Sequence, residues 1–176
     1  AKPIYSNIWL ICSNIRMGDV MSGKVAARLE ELGIDLPTPA APVASYVPFV
    51  KTGNLVIVSG QVTMDSGELR FVGKLGDDMS LEEGYEAARL CAVNLLAQLR
   101  VACDGDLDRV KRVVRLGGFV NCTDDFTDHP KVINGASDLM AQVFGDEIGA
   151  HARAAVGASS LPLGVATEVE GMFEIN

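Results

Sequence analysis

The sequence predicts an α+β domain in which a mostly antiparallel sheet carries two long helices on one of its faces. Three observations carry this. Residues 80–103 and 130–144 hold apolar side chains at helical spacing, while a β-branched run at 55–58 and further strand-like stretches at 110–122, 152–158 and 165–175 alternate with them. The resulting order, ββ(β)αβαββ, contains neither an internal repeat nor a linker.

Each element has its own reason. From Lys24, the residues Val25, Ala26, Leu29 and Leu32, followed by Gly33, describe a short helix with a glycine stop. Pro37, Pro39 and Pro42 then hold the chain extended. A hairpin is expected from Tyr46 to Val50, through the turn Lys51-Thr52-Gly53-Asn54, into Leu55 to Val58 and Ser59-Gly60-Gln61. Asp65-Ser66-Gly67 forms a second turn, with Leu69 to Val72 as a further short strand. Ser80 and Glu83 make a capping box for the strongest helix, whose stripe is Tyr85, Ala88, Ala92, Leu95, Leu96, Leu99 and Cys103. Asp104-Gly105-Asp106 ends it. Val110 to Cys122 reads as a long strand, Asp125 to His129 as a loop, and Pro130 to Phe144 as a second helix stopped by Gly145. Ala152 to Ala158 and Val165 to Ile175 are the last strands, parted by Ser159, Ser160, Pro162 and Gly164. Because Val113, Leu116, Phe119 and Val120 spread apolar character over both sides of their strand, the face away from the helices is expected to be buried by another subunit.

Composition narrows the function. The 176 residues include 15 Lys and Arg against 23 Asp and Glu, a net charge of −8, and 48% are apolar. Such a chain folds around a real core as a single domain, expected over residues 24–176. Residues 1–23 are expected to be an N-terminal extension: either translated sequence upstream of a start at Met21, or an arm that docks on a neighbour. The acidic balance and the lack of any Lys/Arg run oppose a nucleic-acid or anionic-lipid partner. No stretch approaches the roughly 20 apolar residues of a membrane span, and Ile4 to Cys12 makes a poor signal peptide. Cys12, Cys91, Cys103 and Cys122 lack CxxC spacing and, with only His129 and His151, are too sparse for a zinc site. All four are read as reduced, in a cytoplasmic protein. No metal is expected, and the absence of GxxxxGK[ST], of a dinucleotide fingerprint and of GxSxG leaves no nucleotide loop and no serine-hydrolase elbow.

The sharpest feature is Arg153, a long cation within His151-Ala152-Arg153-Ala154-Ala155-Val156. Small neighbours leave room around its guanidinium, as a carboxylate pocket needs; the plainer reading is a surface arginine at a strand end. On the last strand Glu168, Glu170, Met172 and Glu174 share one face, and Thr167, Val169, Gly171 and Phe173 the other. This is either a solvated face or, under a neighbouring subunit, a set of carboxylates in need of partners. A glutamate opposite Arg153 on the adjacent strand would be such a partner, or a water-orienting base with a raised pKa. Tyr46 offers its hydroxyl to a ligand or edges the core, and Asn134 on the second helix faces the same choice. His129 is read as the residue opening a helix, and His151 as a solvent-exposed loop histidine.

Tyr46, the run Leu55-Val56-Ile57-Val58-Ser59-Gly60-Gln61, Asn134, Ala152-Arg153, Leu161-Pro162 and Glu168-Val169-Glu170, in that order, resemble the RidA/YjgF/UK114 family over about residues 40 to 176. The resemblance implies a chorismate-mutase-like fold assembled as a homotrimer with clefts between subunits. It also implies cofactor-free hydrolysis of reactive 2-imino or 2-enamino acids to 2-oxo acids and ammonia. In those terms Arg153 binds the substrate carboxylate, Glu168 orients water, and Tyr46, Ser59 and Asn134 line the substrate site. No cofactor is needed, because an imine is already electrophilic. The sequence departs from the family at Arg153-Ala154-Ala155, where a cysteine is usual in place of Ala155, and at Ala44-Ser45-Tyr46, where Gly-Pro-Tyr is usual. The helix after Asn134 is longer than in compact members, and residues 1–40 have no counterpart in them. Two alternatives stay open: a non-catalytic trimer that binds a small carboxylate, and an endoribonuclease, which the net charge opposes.

Overall fold

The computed structural model describes residues 23–39 and 45–176; the expectations for the N-terminal extension, including Cys12, lie outside these residues. Helix α1 (Lys24–Glu31) is capped by a distant residue, since the Asp108 carboxylate accepts from the Lys24 and Val25 backbone amides at 2.8 Å each. Strands β1 (Phe49–Thr52) and β2 (Leu55–Val62) form the expected hairpin, tightened to a two-residue Gly53-Asn54 turn. A small ladder, β3 (Met64–Asp65) with β4 (Glu68–Leu69), replaces the short strand expected to run on to Val72; Val72 makes an isolated bridge to Val165 instead.

Helix α2 (Leu81–Ala102) begins at the expected capping box, the Glu83 amide donating to Ser80 Oγ at 3.2 Å and the Ser80 amide to Glu83 Oε2 at 2.8 Å. Strand β5 is Val110–Asn121 and helix α3 His129–Gly149. Gly145 breaks α3 as its sequence suggests, with φ 79°, yet one more helical turn follows before the chain reaches β6 (Ala152–Ala158) and β7 (Thr167–Ile175).

The five-stranded sheet runs β1-β2-β7-β5-β6, antiparallel except for the parallel pair β5–β6. A parallel pair needs a crossover, and α3 supplies it. Both long helices pack on one face, α2 over β2 and β7, α3 over β5 and β6. Register irregularities in β5 between Val110 and Arg112 and between Val113 and Arg115 explain its blurred alternation: across the second one, Val113 and Leu116 both turn inward. Fully buried Val56, Leu95, Leu96, Leu99, Leu116, Ile133, Leu139, Met140, Val169 and Phe173 form the core between sheet and helices. Gly135 lies so close to the Tyr85 carbonyl that a Cβ would collide with it, which sets the approach of α3 to α2.

Strand β7 alternates as its sequence suggests, with Thr167, Val169, Gly171, Phe173 and Ile175 buried and the residues between them half-buried on the opposite, open face. That open face also carries Ile57, 42% exposed, and Val156, 47% exposed. No described helix is long and apolar enough to cross a membrane.

Candidate functional site

Arg153 lies on β6, an edge of the sheet, in register with Leu116 of β5, which in turn pairs with Gly171 of β7. Leu116 and Gly171 are buried against the helices, so this row places Arg153 on the helix side of the sheet rim. Its guanidinium is exposed and meets the first turns of α3. Nη1 donates to Asn134 Oδ1 at 2.8 Å and to Ser137 Oγ at 3.0 Å, and Nη2 donates to the Pro130 carbonyl at 3.3 Å. All three acceptors are neutral, and among the described residues Arg153 has no carboxylate partner. Of the five donors on a guanidinium, Nε–H and one Nη2–H remain for a ligand.

Glu168 occupies the other side. It pairs in register with Phe119 of β5 and Val62 of β2, one residue out of phase with the buried Thr167 and Val169, and so projects from the open face. Its carboxylate reaches over Gly60, whose missing side chain makes the space, and meets no hydrogen-bond or ionic partner among the described residues. Partial burial, and then the charge of Glu170 beside it, raise its pKa above the ordinary carboxylate value. Glu170 is paired with Arg115 at 2.9 Å and Glu174 with Asn54 at 2.8 Å, which leaves Glu168 as the unpaired member of that face.

The expectation of a glutamate opposite Arg153 on the adjacent strand is therefore corrected. Strand β5 lies between β6 and β7, and the sheet itself separates Arg153 from Glu168. The physical reason is the α3 crossover, which sets β6 parallel to β5 at the rim and leaves β7 to fill the gap between β2 and β5.

Ser59 and Tyr46 belong with Glu168. The β2–β7 register shifts between Val58 and Gln61, so Ser59-Gly60 is a bulge. Ser59 Oγ donates to the Val47 carbonyl at 2.8 Å and its amide to the Pro48 carbonyl at 2.9 Å, which ties the 47–48 segment to the bulge and sets Tyr46, 51% exposed, beside it. Gln61, whose role its sequence context does not reveal, holds the bulge open, its Nε2 donating to the Ser59 and Gly60 carbonyls at 2.9 and 3.2 Å. The five expected site residues thus fall into two sets on one chain: Arg153 with Asn134 on the β6–α3 edge, and Glu168, Ser59 and Tyr46 toward the β1–β2 end.

His129 opens α3 as expected, with Nε2 3.3 Å from Cys122 Sγ and its ring edge-on to Phe126. His151 lies in the loop between α3 and β6 as expected, but it is not solvent-exposed. It is half-buried, with Nε2 2.9 Å from Ser137 Oγ and Nδ1 2.6 Å from the Gly149 carbonyl. The turn of α3 beyond Gly145 folds the chain back beneath Ser137, an approach hidden in a sequence whose glycine signals the end of the helix. Cys91, Cys103 and Cys122 are free, and no group of three or more potential metal ligands occurs among the described residues.

The architecture defines a class: an α+β domain whose long helices cover one face of a mostly antiparallel sheet, with, among the described residues, an arginine at the rim that has no carboxylate partner and a glutamate on the open face that has no hydrogen-bond or ionic partner. The chain belongs to the family described as "YjgF/chorismate mutase-like, putative endoribonuclease", which matches residues 26–174. The match takes in most of α1, ahead of the motifs that carry the resemblance. Protein TCP17 of Trypanosoma cruzi is 49% identical over 160 residues, 91% of this chain and 99% of that protein. The crystal structure of a protein of unknown function from Agrobacterium tumefaciens is 46% identical and superposes with a TM-score of 0.81, covering 86% of this chain and 92% of its own. A Shewanella oneidensis protein, described as a "putative endoribonuclease", is 37% identical with a TM-score of 0.83, covering 87% and 100% of the two chains.

Proposed function

We propose that this protein hydrolyses reactive 2-imino or 2-enamino acids to 2-oxo acids and ammonia without a cofactor, in clefts between the subunits of a homotrimer. The observation that carries the proposal is the Arg153 guanidinium, exposed, fixed by three neutral acceptors and left, among the described residues, with two unused donors and no carboxylate partner. A guanidinium oriented in this way suits a planar carboxylate. Asn134 orients it by accepting from Nη1.

Glu168 supplies the second half of the chemistry. Its raised pKa suits a carboxylate that takes a proton from water at the moment of attack. Water adds across the C=N bond, the carbon taking the hydroxyl and the nitrogen a proton. The carbinolamine then breaks its C–N bond, releasing ammonia and leaving the C=O of the 2-oxo acid. Glu168 accepts a proton from the attacking water and passes it to the nitrogen, then takes the hydroxyl proton of the carbinolamine as the C=O forms and gives it to the departing ammonia.

Because the sheet separates the two groups within a chain, the Arg153 edge of one copy has to meet the Glu168, Ser59 and Tyr46 region of another. Joining two different surfaces head to tail builds a ring when the rotation closes, as in a trimer. Exposed Ile57 and Val156 on the open face favour such a contact. The net charge of −8 weighs against the ribonuclease reading.

Added to a threonine dehydratase reaction, the wild-type protein is expected to speed release of 2-oxobutyrate from its imine, and Arg153→Ala to abolish the gain. Equal acceleration by wild type and Arg153→Ala would overturn the assignment of Arg153. No acceleration by either would overturn the imine reaction.

A further inference from the structure

We propose that Ser137 and His151 are positioning residues that aim the Arg153 guanidinium through a hydrogen-bond relay of fixed direction; this rests on the reading of Arg153 as the carboxylate grip.

The direction follows from one acceptor. The Gly149 carbonyl can only accept, so the His151 Nδ1 that lies 2.6 Å from it carries the proton. In the neutral ring Nε2 is then bare and accepts from the Ser137 hydroxyl at 2.9 Å. With its proton committed to His151, Ser137 Oγ turns a lone pair to Arg153 Nη1–H at 3.0 Å. Without His151 the hydroxyl can rotate its own hydrogen toward the guanidinium, and the contact becomes donor against donor. The relay therefore fixes Ser137 as an acceptor, while Asn134 Oδ1 takes the other Nη1 hydrogen. With Nη1 held from two sides and Nη2 from a third, rotation about the last side-chain bonds of Arg153 is checked, and Nε–H and the remaining Nη2–H keep one outward direction.

The chain builds this relay with two glycines. Gly145, at φ 79°, breaks α3 one turn early. Gly149 then packs against α3, where a Cβ would lie 2.6 Å from the Met140 carbonyl, and its own carbonyl is presented to His151. The extra turn of α3 thus ends in the group that sets the tautomer.

Two measurements test this on the full-length protein. In long-range 15N–1H spectra His151 is expected in the Nδ1–H tautomer, the less common form in free histidine; an Nε2–H ring would overturn the relay. Calorimetric binding of 2-oxobutyrate, the proposed product, is expected to weaken roughly tenfold in Ser137→Ala and in His151→Phe and to recover in Ser137→Thr. Circular dichroism and thermal melting show whether each variant is folded. Wild-type affinity in folded Ser137→Ala, with weakened binding in Arg153→Ala, overturns the relay alone. Wild-type affinity in Arg153→Ala overturns the reading of the site itself, which the tautomer measurement does not touch.

Discussion

Gly60 makes room for the Glu168 carboxylate: a Cβ at residue 60 would collide with Glu168 Oε1, across the bulge that separates Val58 from Gln61. The glycine thus belongs to the site, and its lack of a side chain sets where the unpaired carboxylate rests.

Gly60→Ala tests this directly. The atom in the way is the free end of a flexible side chain, so the fold can accommodate the methyl group by moving the carboxylate. Melting is expected to shift little, while imine hydrolysis falls about 10- to 100-fold through misplacement of the base. A variant as active as wild type would show that the position of Glu168 over Gly60 has no catalytic meaning.

Glu168 should also leave a signature in the pH dependence. Burial and then Glu170 raise its pKa above 4.5, so protonation begins at a higher pH than for an ordinary glutamate. In the proposed reaction the ionised form acts as the base; activity is therefore expected to decline as pH falls, with a midpoint raised above that of an ordinary glutamate. Glu168→Gln is expected to remove that acid limb and to lower kcat/KM by about 10²- to 10⁴-fold. The pH profile of initial rates, corrected for free hydrolysis of the imine, provides the check.

Much of this architecture is legible in the order of the amino acids. The capping box at Ser80 and Glu83, the Gly33 stop and the alternation of β7 are local patterns, and each appears where its residues place it. The relation of Arg153 to Glu168 is not legible in that way, because strand order is a long-range choice. Ala152 to Ala158 and Thr167 to Ile175 are neighbours in sequence, but β6 pairs with β5 and β7 lies beyond it. The strand-helix-strand succession from Val110 to Ala158 carries the relevant signal, since a crossover helix of that length joins parallel strands. His151 escapes a local reading for a related reason: its partner Ser137 lies on a helix that first has to break at Gly145 and fold back.

Substituting Arg153 separates charge from shape. Lysine keeps the charge but loses the planar fork that meets Asn134, Ser137 and Pro130 together. Arg153→Lys is expected to weaken carboxylate binding about tenfold or more, with a melting temperature close to wild type because the side chain is exposed. Calorimetry with 2-oxobutyrate reads the effect; wild-type affinity would mean that only the charge matters.

The close approach of α2 and α3 is expected to tolerate no side chain at residue 135. A methyl there meets the Tyr85 backbone rather than a movable side chain, so the helices have to part. Gly135→Ala is expected to cost about 3 kcal/mol or more, read as a fall of roughly 6 to 12 °C in Tm. An unchanged Tm would contradict this account of the helix packing.

Burial should silence the core thiols. It raises Cys91 to about 12 and Cys103 to about 11, and raises Cys122 as well. In a Cys12→Ser variant, a disulfide reagent at about pH 8 is expected to label almost nothing until denaturant is added. Rapid labelling of the native protein would place one of these thiols in a far more open setting.

A site shared between copies is tested most directly by subunit mixing. Arg153→Ala and Glu168→Gln, each inactive alone, would be co-expressed with different tags and the hybrids isolated. Where copies meet head to tail in a ring of three, each mixed trimer has one interface of its three that combines an intact Arg153 from one variant with an intact Glu168 from the other, and the isolated hybrids are expected to recover about a third of wild-type activity. Hybrids as inactive as their parents, beside an active wild type, would contradict a cleft built from Arg153 of one chain and Glu168 of the next.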